Sequence, residues 1–172
     1  SARTIGVTGT RGKTTTATFI HHILKEHGVD SVLAGNMRVS AVGMLDDLQE
    51  NQTVVLELSS WQLEGLDKHR ISPSVAVVTN VLPDHLDRYE DMETYAEAKK
   101  TIVRHQTDSD LAILNRENVH SRSFAAITPA EIRWFSQGDE IVGWEQALVS
   151  GDHNRANLAA GILATSIFDI PE

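Results

Sequence analysis

Five short runs of β-branched and apolar residues, separated by stretches of helical character, constrain the fold of this chain most strongly. The runs occupy residues 4–8, 31–34, 53–58, 75–79 and 111–114. All but the second are continuously apolar, without the alternation of a strand that has one face in water. Such runs are typical of strands covered on both faces, as in parallel sheets. The chain is therefore predicted to form an α/β fold, with a largely parallel sheet flanked by helices.

Helical segments are predicted between and after these strands. They are residues 13–27, 92–105 and 154–168. Beyond residue 115 the pattern weakens, and 132–135 and 140–142 are expected to be short strands of a small peripheral β element. No repeat or internal linker divides the 172 residues, so one domain is expected.

Composition limits the partners of this chain. Its net charge of -9 argues against a nucleic-acid binder, because such proteins rely on cationic contacts to phosphate. It has no cysteine, so disulfides and thiolate metal sites cannot form. No apolar run approaches the roughly 20 residues of a membrane-spanning helix, and no signal peptide opens the chain. A cytoplasmic protein without a membrane partner is therefore expected.

A glycine-rich loop links the first predicted strand to the first predicted helix. It comprises Gly9, Thr10, Arg11, Gly12, Lys13, Thr14 and Thr15. Glycines let backbone N–H groups point at phosphate oxygens, and a helix N-terminus favours anions. Lys13 would contact the β- and γ-phosphates, and the Thr14 hydroxyl would bind Mg²⁺. An ordinary glycine turn is the alternative, because Val7 replaces the first glycine of the general P-loop. The strand–loop–helix order favours ATP or GTP binding.

This loop and several other motifs of the chain resemble a known superfamily. Residues 8–14 are similar to the T-G-T-N-G-K-[ST] loop of the Mur ligases and folylpolyglutamate synthetases, with Arg11 in place of the usual asparagine. The resemblance runs from about Thr4 to Ala164. It implies that residues 1–172 are the P-loop NTPase-like central, ATP-binding domain of such a ligase, and it leaves open a truncation after Glu172. The UDP-binding and amino-acid-binding domains of these ligases are expected to lie outside this chain.

A carboxylate and two serines follow the third predicted strand. Glu57 could complete a Mg²⁺ shell begun by Thr14, since ligands of open α/β sheets bind at the carboxyl ends of strands. A carboxylate exposed to water explains the residues alone equally well. Residues 57–64, E-L-S-S-W-Q-L-E, resemble the branch of the superfamily that adds D-glutamate. The resemblance implies that Glu57 binds Mg²⁺. It also implies that the muramoyl substrate lies beside Ser59, Ser60 and Gln62.

An acidic and histidine-containing segment follows the fourth predicted strand. Asp84, His85 and Asp87 cluster there, and such side chains suit a metal or phosphate site. A polar loop with a helix cap is the alternative. Residues 80–89, N-V-L-P-D-H-L-D-R-Y, are similar to the same ligases. The resemblance implies that His85 binds a second Mg²⁺.

Lys99 ends a segment, Y-A-E-A-K at residues 95–99, that matches the superfamily pattern Y-x-x-A-K. The resemblance implies a carbamylated lysine, as in several of these ligases. A carbamate turns an ammonium donor into an anionic oxygen ligand, which can hold a hard cation. An unmodified Lys99 would repel Mg²⁺ and serve only phosphate. The residues alone favour a solvated helix lysine, like Lys100.

Asparagines in two further motifs complete the predicted site. Residues 151–160 resemble the G-x-H-N-x-x-N-x-x-A-A segment of the superfamily, which implies that Asn154 and Asn157 lie near adenine. Capping of the last helix by Asn154 is an alternative. Gly35-Asn36 resembles a G-N-I-G loop that approaches the muramoyl substrate, with Arg38 at the usual final glycine. An arginine suits a diphosphate-bearing substrate.

The resemblance implies a two-step, ATP-dependent ligation through an acyl phosphate. Its substrates would be UDP-N-acetylmuramoyl-L-alanine and D-glutamate, and Lys13, His85 and Lys99 would be catalytic. One alternative is another ligase of the superfamily, of the poly-γ-glutamate or folylpolyglutamate synthetase type. A second is a P-loop NTPase that acts as a switch, and a third is a non-catalytic nucleotide-binding module. The switch leaves the motifs around His85 and Asn154 unexplained.

Overall fold

A six-stranded parallel sheet forms the centre of the molecule. The computed structural model describes residues 3–36, 48–49, 51–84, 88–147, 149–168 and 170. The strands are β1 (Thr4–Thr8), β2 (Ser31–Gly35), β3 (Thr53–Glu57), β4 (Val75–Val78), β5 (Leu111–Asn115) and β6 (Glu131–Phe135). Their spatial order is β2-β3-β1-β4-β5-β6, and every neighbouring pair is parallel. The prediction of an α/β fold with a largely parallel sheet is confirmed.

Helices cover both faces of this sheet. They are α1 (Lys13–Glu26), α2 (Ser60–Lys68), α3 (Met92–Arg104), α4 (Val119–Phe124) and α5 (Asp152–Thr165). The sequence prediction missed α2 and α4. A local signal for α2 exists, because Ser59 and Gln62 form a capping box, in which each side chain bonds the backbone N–H of the other residue.

Two apolar clusters fill the space between the sheet and the helices. Alternation along β4 divides its side chains between them: Val75 and Val77 face the cluster under α1 and α5, whereas Ala76 and Val78 face the cluster under α2 and α3. Burying an aliphatic side chain of this size stabilises the fold by roughly 1.5–3 kcal/mol. Because β1, β3, β4 and β5 are covered on both faces, their continuous apolar runs correctly predicted the centre of this sheet.

The C-terminal part of the chain departs from the prediction. Residues 131–135 form the edge strand of the main sheet, parallel to β5, rather than part of a separate peripheral element. Residues 140–142 are not a strand, and the Val142 side chain is fully exposed. The last helix begins at Asp152, two residues earlier than predicted, and ends at Thr165 before a single 3-10 turn, Ser166–Phe168. Within the described residues, no helix is long and apolar enough to span a membrane.

Candidate functional site

Most of the predicted site residues that the structure describes lie at the carboxyl end of the sheet. From β1 the chain crosses over β3 to reach β2, whereas from β3 it crosses back over β1 to reach β4. Connections that leave neighbouring strands in opposite directions open a crevice at the strand ends, where ligands of such sheets bind. The loops after β1, β3 and β4 line this crevice.

Two glycines shape the loop between β1 and α1. Gly12 has a left-handed φ of 83° and precedes the first residue of α1, and no side chain caps this helix. At Gly9, with φ 152°, an added Cβ would lie 1.9 Å from Thr79 Oγ1. Both positions therefore require glycine. The backbone N–H groups of Gly12, Lys13 and Thr14 have no acceptor among the described residues. They form a helix N-terminus suited to an anion.

Thr79 and Asn80, which follow β4, hold this loop in place. The Asn80 side chain accepts a hydrogen bond from Arg11 N (3.0 Å) and donates one to Arg11 O (3.1 Å). Thr79 Oγ1 donates to the same carbonyl at 2.7 Å, and Asn80 O accepts from Thr10 N at 2.8 Å. These four hydrogen bonds hold the Thr10–Arg11 part of the loop against the residues that follow β4. Sequence reasoning gave these two residues no role, although their position after a buried strand was the available signal.

Lys13 Nζ donates to Thr10 O at 3.0 Å, at the first turn of α1. Burial lowers the pKa of Lys13, and the negative charges of Glu57 and Asp84 partly oppose this shift. The side chain is thus a cation placed beside unpaired N–H groups, and the arrangement suits a polyanion such as a triphosphate.

Thr14 and Glu57 form a hydroxyl–carboxylate pair in the crevice. Thr14 Oγ1 donates to Glu57 Oε2 at 2.7 Å, and Asn36 Nδ2 donates to Glu57 Oε1 at 3.2 Å. Glu57 is only 3% exposed, so the alternative of a carboxylate in open water is wrong. The described residues contain no group of three or more His, Cys, Asp or Glu side chains that could hold a metal. A hydroxyl and one carboxylate fit Mg²⁺, which completes its shell with phosphate oxygens and water.

Lys99 is buried beneath the phosphate loop, with 2% of its surface exposed. Its Nζ donates to Gly9 O at 3.0 Å and lies 4.7 Å from the ring centroid of Tyr95. Burial, and secondarily the charge of Lys13, lower the pKa of Lys99 to about 7, against an opposing contribution from Asp84. The alternative of a solvated helix lysine is therefore wrong.

Some predicted site residues cannot be placed. His85, Asp87 and Arg38 lie outside the described residues. Asp84 is exposed at the end of the segment after β4, where its charge acts on Lys13 and Lys99. The carboxylate of this motif thus faces the two lysines of the crevice.

Two cavities lie on either side of the phosphate loop. The first, here the α5 cavity, has a volume of about 320 Å³, and its lining includes Arg11, Gly12, Thr15, Asn80, Asn154 and Asn157. The second, the α2 cavity, has about 280 Å³ and is lined by Lys13, Asn36, Ser59, Ser60, Trp61, Tyr95 and Lys99. Eight residues that line the α5 cavity were not predicted as site residues: Thr79, Asn80, Asn115, Glu117, Phe135, Gln137, His153 and Ala156. They come from the ends of β4, β5 and β6, the segments that follow these strands and the start of α5, so most of them belong to no common local motif.

The three amide side chains predicted on α2 and α5 differ in their surroundings. Asn157 is buried, and its Oδ1 lies 2.5 Å from the place a Cβ on Gly12 would occupy, so α5 packs against the phosphate loop. Asn154 does not cap α5, because Gly151 occupies the N-cap position and Asn154 Nδ2 donates to Ser150 O at 2.8 Å. Gln62 is exposed and does not line the α2 cavity, because its side chain caps α2 at Ser59.

These features define the P-loop class of nucleotide-binding proteins. In this class a parallel α/β sheet carries a glycine-rich loop, a lysine and a hydroxyl–carboxylate pair at the crevice where the connections diverge. Within that class, the chain belongs to the Mur ligase middle domain family, whose model matches residues 7–158.

Curated relatives agree with this membership. The chain is 37% identical, over 96% of its length, to the UDP-N-acetylmuramoylalanine--D-glutamate ligase of Roseiflexus sp. (strain RS-1), of which it covers 42%. It is 43% identical, over 79% of its length, to the ligase of the same name from Acetivibrio thermocellus, of which it covers 28%. The chain thus spans about two fifths or less of the curated relatives it matches.

Solved structures share the fold at lower identity. The MurF ligase from Thermotoga maritima in complex with ADP has a TM-score of 0.78 and 20% identity, over 99% of this chain and 46% of that one. A UDP-N-acetylmuramoyl-L-alanyl-D-glutamate--2,6-diaminopimelate ligase has a TM-score of 0.77 and 21% identity, over 99% and 44%. These likenesses establish the architecture.

Proposed function

We propose that this chain is the ATP-binding domain of an amide ligase that adds D-glutamate to UDP-N-acetylmuramoyl-L-alanine. The observation that carries the proposal is the pair of cavities on opposite sides of the phosphate loop. One suits a nucleoside, and the other holds Lys13 and Lys99 where a second substrate can meet the γ-phosphate. The names of the curated relatives supply the substrates. The reaction would take place in the cytoplasm.

ATP would bind with its nucleoside in the α5 cavity. Asn154 and Asn157 line that cavity, and their amides offer both a donor and an acceptor to an adenine edge. The phosphates would bind the free N–H groups of Gly12, Lys13 and Thr14, and Lys13 would neutralise charge on the β- and γ-phosphates.

The acceptor carboxylate would enter the α2 cavity, where Asn36, Ser59 and Ser60 can donate hydrogen bonds. One carboxylate oxygen attacks the γ-phosphorus, the bond to the β–γ bridging oxygen breaks, and ADP leaves. The amino group of D-glutamate then attacks the acyl carbon of the resulting acyl phosphate. The C–O bond breaks, inorganic phosphate leaves, and the amine loses its proton.

Mg²⁺ is the cofactor that fits the donor atoms. Thr14 and Glu57 would hold one ion, and His85 and carbamylated Lys99 a second; bound Mg²⁺ neutralises phosphate charge. The lowered pKa of Lys99 supports carbamylation, because the neutral amine is the form that attacks CO₂. A C–N bond forms, a proton is lost, and the product carries an anionic oxygen.

Binding of the UDP moiety and of D-glutamate is assigned to further domains, an N-terminal and a C-terminal one. The curated relatives are more than twice as long as the segment they share with this chain. We therefore expect no ligation by the 172-residue chain alone, because the orientation that makes the second step effectively unimolecular would be missing.

An amide-ligation assay on the full-length protein tests the proposal. With UDP-N-acetylmuramoyl-L-alanine and D-glutamate, we expect ADP and phosphate to form in proportion to amide. The Lys13→Ala variant should lose nucleotide binding and ligation, since its side chain faces the crevice. The matched Lys68→Ala variant should retain both, since Lys68 is exposed at the end of α2 and lines neither cavity.

The choice of amino acid separates the alternatives. Ligation of L-glutamate, but not D-glutamate, would indicate another branch of the superfamily. Nucleotide hydrolysis without amide formation, with every amino acid tried, would overturn the proposal in favour of a switch.

A further inference from the structure

Three hydrogen bonds hold the backbone of Arg11. Its N–H donates to Asn80, and its carbonyl accepts from both Thr79 and Asn80, at 2.7–3.1 Å. These hydrogen bonds fix the backbone of Arg11, so the region that its guanidinium can reach is set by the fold rather than by loop movement.

The Arg11 side chain lines the α5 cavity and is exposed. Among the described residues, this side chain has no hydrogen-bond or ion-pair partner. Glu117, in the wall of the same cavity, accepts a hydrogen bond from Gln137 N at 3.1 Å instead. Lys13, two residues on, lines the α2 cavity. The phosphate loop therefore presents one cation to each cavity.

We propose that Arg11 is a second phosphate contact, which binds the phosphates nearest the nucleoside and sets nucleotide affinity without taking part in phosphoryl transfer. This inference rests on the proposed binding of ATP. A guanidinium presents a planar fork of N–H donors that matches two phosphate oxygens. Because Arg11 faces the nucleoside side, its contact is the same in ATP and ADP. Lys13 lines the α2 cavity, on the side of the acceptor carboxylate, and contacts the γ-phosphate.

The test compares Arg11→Gln, Arg11→Lys and Arg122→Gln in the full-length protein. Arg122→Gln makes the same charge change on α4, outside both cavities. Calorimetry should show a roughly tenfold higher Kd in Arg11→Gln for ATP and for ADP alike. Arg11→Lys should raise Kd by about threefold, because it keeps the charge and loses the fork. The kcat of ligation at saturating ATP should stay within about twofold of wild type.

Salt supplies a second readout. The Kd of the wild type should rise more steeply with ionic strength than the Kd of Arg11→Gln, because the variant lacks the exposed ion pair between Arg11 and phosphate. The inference is overturned if Arg11→Gln binds nucleotide like Arg122→Gln. It is also overturned if ATP loses much more affinity than ADP, or if kcat falls while Kd is unchanged. Failure of the wild type to bind ATP would instead refute the proposed function.

Discussion

Replacing Lys99 by methionine should stabilise the fold while abolishing ligation. The side chain is buried, and its pKa is lowered from 10.5 to about 7, chiefly by burial and then by Lys13. Keeping this lysine in the folded protein at pH 7 therefore costs about 4 kcal/mol, since each pKa unit corresponds to about 1.4 kcal/mol. Methionine avoids this cost and loses one hydrogen bond to Gly9 O, which contributes about 1 kcal/mol. The expected net gain in the free energy of unfolding is about 2–3 kcal/mol.

The lowered pKa of Lys99 also predicts how the free energy of unfolding changes with pH. Because the folded-state pKa lies below the unfolded-state value, the unfolded chain binds more protons between about pH 7 and pH 10.5. The stability of the wild type should rise with pH through that window, and the contribution of Lys99 should be absent from Lys99→Met. The advantage of the variant should consequently shrink by about 2 kcal/mol between pH 7 and pH 9.

Urea unfolding of the 172-residue chain, in CO₂-free buffer without Mg²⁺, measures both quantities. Lys100→Met is the matched control, on the same helix and paired with Glu97 at 2.7 Å. It should change stability by no more than about 0.5 kcal/mol. A Lys99→Met variant that is less stable than the wild type at pH 7, or a stability difference independent of pH, would refute the argument.

Three further predictions concern the same crevice. Gly12→Ala should lower the free energy of unfolding by about 1–2 kcal/mol and also weaken ATP binding more than tenfold, because φ is 83° and the new Cβ meets Asn157. Gly28→Ala, at φ 73° in open space, should show a similar stability loss with unchanged ATP affinity by calorimetry. Asn80→Ala should raise the KM for ATP about tenfold with kcat nearly unchanged, since two hydrogen bonds that shape the loop disappear; an unchanged KM would contradict this role. Lys99→Ala should lose ligation, and added acetate should restore part of it, whereas Lys99→Arg should stay inactive; an active Arg variant would indicate a phosphate contact in place of a carbamate.

The strands and the phosphate loop could be read from local sequence. Short runs of β-branched and apolar residues predicted β1 to β5 to within one residue at each end. In β1, β3, β4 and β5 these runs are continuously apolar, because strands covered on both faces have no side that meets water. The loop could also be predicted from the sequence, because Gly9 and Gly12 have positive φ angles and close neighbours that other residues tolerate poorly. The capping box at Ser59 was a local signal for α2 that the prediction did not use.

The tertiary structure decided what depends on distant partners. Residues 131–135 became the sheet edge by pairing with β5, and no local pattern encodes which strand will be the neighbour. Lys99 and Lys100 are adjacent on one helix, yet only Lys99 is buried, because α3 turns the face that carries Tyr95 and Lys99 toward the phosphate loop. Asn80 acquired its role in the same way, across 69 residues from Arg11. Residue type and local spacing determine which conformations and chemistry are available, but burial and pairing arise only when the strands are brought side by side.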